Sequence, residues 1–195
     1  MTQRHTIAAA VLAAARDHQL PLFVSNGFLC REIMALTAPG EDRVLPLQGG
    51  MGLAAGVAAG YAMATGRAAI VLEGDGNHLM GWGSAQLTGT HALPLVHVVS
   101  CNGVYRSTGG QPLPSQPSTV QSAAATLFYP QAFTAATEPE LRHCLEQALL
   151  APGPSLLYAV EDETGAPPDR SDFRTRDYAT ALARQAAADT KGEPR

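Results

Sequence analysis

The sequence predicts an α/β fold: a doubly wound parallel sheet with helices packed on both faces. Apolar runs of strand length recur at Leu22–Ser25, Ala68–Glu73, Leu95–Ser100 and Leu156–Val160, and segments of helical length separate them. Strands that alternate with helices imply parallel pairing, because each crossover returns the chain to the same edge of the sheet. The length of 195 residues, with an ordinary apolar fraction of 46%, supports one well-buried core. The sequence therefore predicts one domain over residues 1–160, followed by a C-terminal arm and a partly disordered tail over 161–195.

The elements follow in order. The opening stretch MTQRHTIAAAVLAAARDHQ has one early Arg, and its Ala-rich run is interrupted by Arg16 and Asp17. It lacks the charged region, apolar region and cleavage site of a secretory leader, and it reads as an amphipathic helix over 4–18. After the first strand come helices over 28–37 and 51–65. The stretch from Gly49 to Ala64 is rich in Gly and Ala and falls short of the roughly 20 residues a membrane span requires. A helix over 77–90 joins the second and third strands. Shorter signals place a helix over 120–127 and a strand near 131–135. Thr137-Glu138-Pro139-Glu140 has the pattern of a capping box and opens a helix over 138–150. Beyond Val160 the chain turns polar and rich in Pro, Asp and Arg, which predicts the arm and a frayed end.

The net charge of −4 and the lack of a Lys/Arg cluster argue against a nucleic acid or a membrane surface as partner. Cys30, Cys101 and Cys144 are odd in number and lack CxxC spacing, as expected for reduced thiols in a cytoplasmic protein.

Chemistry concentrates in Glu73-Gly74-Asp75-Gly76-Asn77, between a strand and a helix. The glycines let a ligand approach the backbone, and amides at a helix start favour an anion. Asp-Gly is also common in ordinary turns. Asn102, at the end of the next strand, gives the motif weight. If the two strands are neighbours, roughly 4.8 Å apart, Asp75 and Asn102 emerge side by side at the carboxyl edge of the sheet. One carboxylate, one amide oxygen and a nearby backbone carbonyl make a hard oxygen half-shell suited to magnesium. Two unrelated strand-end turns are the alternative.

GDG followed by a helix, a strand and an Asn resembles the signature of thiamine-diphosphate enzymes. The string Asn102-Gly103-Val104-Tyr105-Arg106-Ser107-Thr108-Gly109-Gly110-Gln111 is similar to a segment of phosphonopyruvate decarboxylases and of the sulfopyruvate decarboxylase β subunit. The resemblance runs from the first helix to about Pro168. It implies a sheet of about six strands, with thiamine diphosphate and Mg2+ as cofactors. Asp75 and Asn102 would be metal ligands through their side chains, and Val104 through its carbonyl. Gly74, Gly76 and Asn77 would hold the diphosphate, and Tyr105 is counted among the cofactor contacts with its string. Gly49-Gly50-Met51-Gly52 resembles the turn in which an apolar side chain, here Met51, wedges beneath the cofactor, while the Gly49 carbonyl meets the aminopyrimidine. The turn Ser25-Asn26-Gly27-Phe28 resembles the segment whose amides meet the diphosphate, which makes Asn26 and Gly27 contacts. Ser107 and Thr108 would lie near the diphosphate or the acidic head of a substrate, a solvent-exposed turn being the competing explanation.

In this family the Glu that activates the cofactor lies on a separate pyrimidine-binding domain, so no catalytic residue is assigned to this chain. The resemblance implies an α subunit as partner, in an α2β2 or higher hetero-oligomer. The implied reaction is nonoxidative decarboxylation of phosphonopyruvate or sulfopyruvate to the aldehyde and CO2. A carboligase subunit of the acetolactate-synthase type and a noncatalytic cofactor-binding or assembly module remain as alternatives. His78 could meet substrate or pack, and Arg106 could attract an anion or lie solvated. His91, His97 and His143 lack ligand spacing and read as structural or exposed. Cys101 reads as a small buried side chain.

Overall fold

Each apolar run of the sequence becomes a strand of a parallel sheet, and two short strands pair antiparallel beside it. The structure, a computed structural model, describes residues 2–38, 41, 43–114, 119–162, 165–170, 172 and 174–191. The strands are β1 (Thr2–Gln3), β2 (Leu22–Ser25), β3 (Val44–Leu47), β4 (Ala69–Gly74), β5 (Leu95–Cys101), β6 (Val104–Tyr105), β7 (Gln111–Pro112), β8 (Gln131–Ala135) and β9 (Ser155–Asp162). The helices are α1 (Arg4–Asp17), α2 (Phe28–Leu36), α3 (Ala54–Thr65), α4 (Asp75–Met80), α5 (Trp82–Thr90), α6 (Val120–Leu127), α7 (Glu138–Leu150) and α8 (Thr175–Lys191).

The main sheet is parallel throughout and runs β3-β2-β4-β5-β9, with β8 paired along Ser155–Ala159 of β9 and β1 at Glu161–Asp162. That makes seven strands where the resemblance implies about six, the additional one being the two-residue β1. After β2 the chain moves outward to β3, and after β4 it moves the other way to β5. The carboxyl ends of β2 and β4 therefore flank a topological switch point, the place where open α/β sheets leave a crevice.

Alternate residues of each strand face opposite layers. Leu22, Val24, Ile70 and Leu72 pack with α1, α2 and α7, through Val11, Ile33 and Leu141 among others. On the other face Phe23 and Val71 meet Ala58 and Ala62 of α3 and Leu182 of α8, and Val99 and Leu156 meet Ala85 of α5 and Leu127 of α6. The capping box of α7 is formed: Thr137 Oγ1 accepts from the Glu140 amide at 3.4 Å, and Glu140 Oε2 accepts from the Thr137 amide at 3.2 Å.

Beyond the two-residue strands β1, β6 and β7, which the sequence did not suggest, three elements depart from the sequence expectation. The helix expected over 77–90 is two helices, α4 and α5, which meet at Gly81. There the backbone of Gly52 comes so close that a β-carbon on Gly81 would lie 2.5 Å from the Gly52 carbonyl oxygen. Strand β3 was not expected; it carries Pro46, and as an edge strand it tolerates the missing N–H. Residues 175–191, within the expected C-terminal arm and tail, form α8, whose Ala-rich sequence favours helix and whose Leu182 is buried at 6% exposure. Residues 192–195 of the expected tail lie outside the described residues. No helix among the described residues is long and apolar enough to cross a membrane.

Candidate cofactor site

Asp75 stands at the junction of two loops. Strand β4 ends beside β5 in register, Gly74 opposite Ser100, so the residues after each strand emerge together. Asp75 Oδ2 accepts from the backbone amides of Asn102 at 2.8 Å and Gly103 at 2.7 Å, and Oδ1 accepts from the Gly76 amide at 2.8 Å. A carboxylate held by three amides is fixed in rotamer. Asn102 turns back on its own loop, its Oδ1 accepting from the Val104 amide at 3.0 Å. Gly103 between them has φ +78°, a left-handed conformation that favours glycine.

Two further loops close the site. Asn77 Oδ1 accepts from the Gly52 amide at 3.1 Å, which ties the turn after β3 to the start of α4. The turn after β2 meets the loop after β6, where a β-carbon on Gly27 would lie 3.7 Å from Ser107 Oγ. The resulting cleft at the carboxyl edge is lined by Asn26, Gly27, Met51, Gly74, Asp75, Gly76, Asn77, Asn102, Val104, Tyr105 and Ser107. Gly49 and Thr108 line an adjoining cleft that shares Asn26, Gly27 and Ser107. Asn26 Oδ1 is buried with no protein partner, so the cleft retains unused polar capacity. A β-carbon on Gly76 would lie 2.7 Å from the Tyr105 ring, so a larger residue there would displace that ring.

Sequence reasoning missed one wall of this cleft. Arg4 and Glu161 line it although neither lies near a motif. Pairing of β1 with β9 brings them together, with Arg4 Nη1 3.6 Å from Glu161 Oε1 and Arg4 Nε 3.0 Å from Glu32 Oε1. Ser100 Oγ donates to Glu161 Oε2 at 2.6 Å. Burial pushes the Glu161 carboxyl above its ordinary pKa, against the opposing pull of Ser100 and Arg4.

Behind the cleft lies a buried polar network. Glu73 Oε1 is 2.8 Å from His97 Nε2 and 3.2 Å from His78 Nδ1, and His97 Nδ1 is 3.0 Å from the Tyr129 hydroxyl. His78 is therefore buried packing against Trp82 and Tyr158 and does not line the cleft. His97 is buried in β5, while His91 and His143 are exposed. Arg106 lines the cleft with an exposed side chain, and Cys101 is half-buried.

Residues 35–159 match the family described as thiamine pyrophosphate enzyme, C-terminal TPP binding domain. The chain belongs to this family. Thiamine diphosphate is accordingly the cofactor of the domain. A phosphonopyruvate decarboxylase from Streptomyces viridochromogenes is 37% identical over 69% of this chain and 34% of its own length. The chain thus spans about a third of that relative. Among solved structures, the benzoylformate decarboxylase of Polynucleobacter necessarius superposes with a TM-score of 0.69 at 18% identity, covering 84% of this chain and 34% of the other. The 2-oxoglutarate:ferredoxin oxidoreductase of Magnetococcus marinus gives a TM-score of 0.63 at 13% identity, covering 91% of this chain and 74% of the other. These two establish the shared fold.

Proposed function

We propose that this chain is the diphosphate-binding half of a thiamine-diphosphate- and Mg2+-dependent decarboxylase that acts on an acidic three-carbon 2-oxo acid, phosphonopyruvate or sulfopyruvate. The observation that carries the reading is Asp75, locked between the loops after β4 and β5 with Asn102 and Val104 beside it on one cleft. A carboxylate oxygen, an amide oxygen and a carbonyl are the ligand types a hard cation prefers. Asp75, the Asn102 side chain and the Val104 carbonyl would hold Mg2+, and the amides near Gly74, Gly76 and Asn77 would take the diphosphate oxygens. Met51, half-buried on the cleft wall, would support the cofactor from below, with the Gly49 carbonyl nearby. When bound, thiamine diphosphate supplies the electron sink that loss of CO2 requires. The chain's own part is to anchor and orient it at the carboxyl edge of the sheet.

The Glu that activates the cofactor would come from a pyrimidine-binding partner subunit, in a hetero-oligomer of α2β2 type or larger. Substrate identity follows the similarity to phosphonopyruvate decarboxylase and the string Asn102–Gln111.

Titration calorimetry on the complex with the partner tests the site. Thiamine diphosphate should bind only with Mg2+ present, and Asp75→Asn should weaken it by about a hundredfold or more, equivalent to ~3 kcal/mol. Circular dichroism should show the variant folded. Undiminished binding in a folded Asp75→Asn protein would reject the metal assignment. Product analysis with each acid would separate decarboxylation from carboligation.

A further inference from the structure

Beside the cofactor cleft lies a second cleft of about 310 Å³, within the range of small-molecule sites. Asn26, Gly27 and Ser107 line both, so the two are continuous. The second adds Arg31, Gln48, Thr108 and Arg170, and among the described residues no carboxylate lines it. Arg31 rises from the first turn of α2, its guanidinium 5.1 Å from the centre of the Phe28 ring. Arg4 stands 5.2 Å from that same ring. The two arginines have opposite electrostatic settings. Arg4 is neutralised by Glu32 and Glu161, whereas among the described residues neither Arg31 nor Arg170 has a carboxylate partner.

The arm beyond β9 completes the cleft. Arg31 Nη1 donates to the Pro168 carbonyl at 3.5 Å, which places the arm against α2 and brings Arg170 to the cleft. Two guanidiniums without a carboxylate partner among the described residues line this small volume with the Ser107 and Thr108 side chains, the Thr108 hydroxyl donating to the Tyr105 carbonyl at 3.3 Å. Such a lining is suited to a tetrahedral oxyanion, and to a dianion above a monoanion. The proposed metal ligands lie on the first cleft only, while Asn26, Gly27 and Ser107, expected near the diphosphate, line both, so the second cleft opens directly from the cofactor site.

We propose that Arg31 and Arg170, with Ser107 and Thr108, form the subsite that holds the phosphonate head of the 2-oxo acid. This rests on the decarboxylase reading above and adds to it the residues that set substrate choice. A phosphonate would be favoured over a sulfonate, because its second negative charge is matched by the second guanidinium.

Steady-state kinetics of the complex with the partner, using phosphonopyruvate, sulfopyruvate and pyruvate, test the proposal, together with calorimetry of thiamine diphosphate with Mg2+. Arg31→Gln should raise KM for phosphonopyruvate by about tenfold or more. It should leave kcat/KM for pyruvate and the Kd of thiamine diphosphate within about twofold, and Arg31→Lys should restore part of the loss. An equal loss with pyruvate, or weakened cofactor binding, would overturn it by assigning Arg31 to the cofactor site. Arg170→Gln, at an exposed position, should give the same pattern and serves if Arg31→Gln does not fold. A separate arm is independent of turnover: phosphonoacetate added to the full chain should show a shifted phosphorus resonance that Arg31→Gln removes. If the wild-type complex decarboxylates none of the acids while this shift is present, the decarboxylase reading fails and the anion subsite stands. An unshifted resonance with the wild-type chain overturns the subsite.

Discussion

Glu73 shows how far a single residue can be fixed by partners that the sequence does not advertise. Its side chain is fully buried, and one oxygen serves both His78 and His97. Burial alone would raise its pKa; attraction from His97 and hydrogen bonds from both imidazoles overcome this and bring it down to about 2. Glu73→Ala would leave two buried imidazole N–H groups unpaired, and urea unfolding should show a loss of about 3 kcal/mol. The pH dependence has a definite sign. Burial holds the His78 pKa below its ordinary 6.5, so the unfolded chain takes up a proton that the folded chain resists. The stability from a neutral His78 is complete above 6.5 and is lost as pH falls through its lower folded value. The Glu73 contribution is lost later, between 4.5 and about 2. Urea midpoints at about pH 7.5 and about pH 5.5 should therefore differ for the wild type and converge for His78→Gln, which can donate without titrating. An unchanged difference in the variant would exclude His78 as the source. The placement of Asp75 and Asn102 was legible in sequence because each follows a strand and those strands are neighbours. The Glu73 network was not, because His97 sits mid-strand and Tyr129 lies 32 residues away, so nothing local links them.

At the scale of elements, small residues decide where the chain can come close to itself. A β-carbon on Gly89 in α5 would lie 1.9 Å from the Leu127 carbonyl oxygen, so α5 and α6 touch through this residue. Gly60, inside α3, has nothing within 4 Å of the same position. Replacement by Ala should thus have opposite effects: Gly60→Ala should gain about 0.5–1 kcal/mol from helix propensity, and Gly89→Ala should lose at least about 1–3 kcal/mol through overpacking. Thermal and urea unfolding of the two variants would measure both; a stabilised Gly89→Ala would contradict the contact. These glycines also explain what the apolar pattern could and could not convey. Most strands and helices fell within a residue or two of the sequence reading, because hydrophobic runs and the α7 capping box are local signals. The break at Gly81 depends on Gly52, about thirty residues earlier in the chain, and β3 carries a proline that only an edge position tolerates. Composition concealed α8 too, since its charged and polar residues outweigh Tyr178 and Leu182 until the core they pack on is known.

At the scale of the whole molecule, the proposed division of the enzyme has a surface counterpart. Leu53 and Val57 lie one turn apart on the entry and first turn of α3 and are 53% and 38% exposed, while Met80 at the end of α4 and Leu87 on α5 are 64% and 40% exposed. Large apolar side chains grouped on packed neighbouring helices mark an interaction surface more often than chance exposure does. Their position points to the occupant. Leu53 follows Met51 by two residues and Met80 follows Asn77 by three, and both Met51 and Asn77 line the cofactor cleft. A subunit that delivers a Glu to the cofactor must approach this rim, so the pyrimidine-binding partner is the expected occupant. The double variant Leu53→Asp/Val57→Asp places two charges on that surface and should abolish co-elution with the partner in size-exclusion chromatography. Because neither side chain is buried, the unfolding temperature of the isolated chain should change little. A variant that melts normally and still co-elutes would move the subunit interface to another face. A variant that loses both folding and association would instead assign these residues to the core of α3, against their exposure.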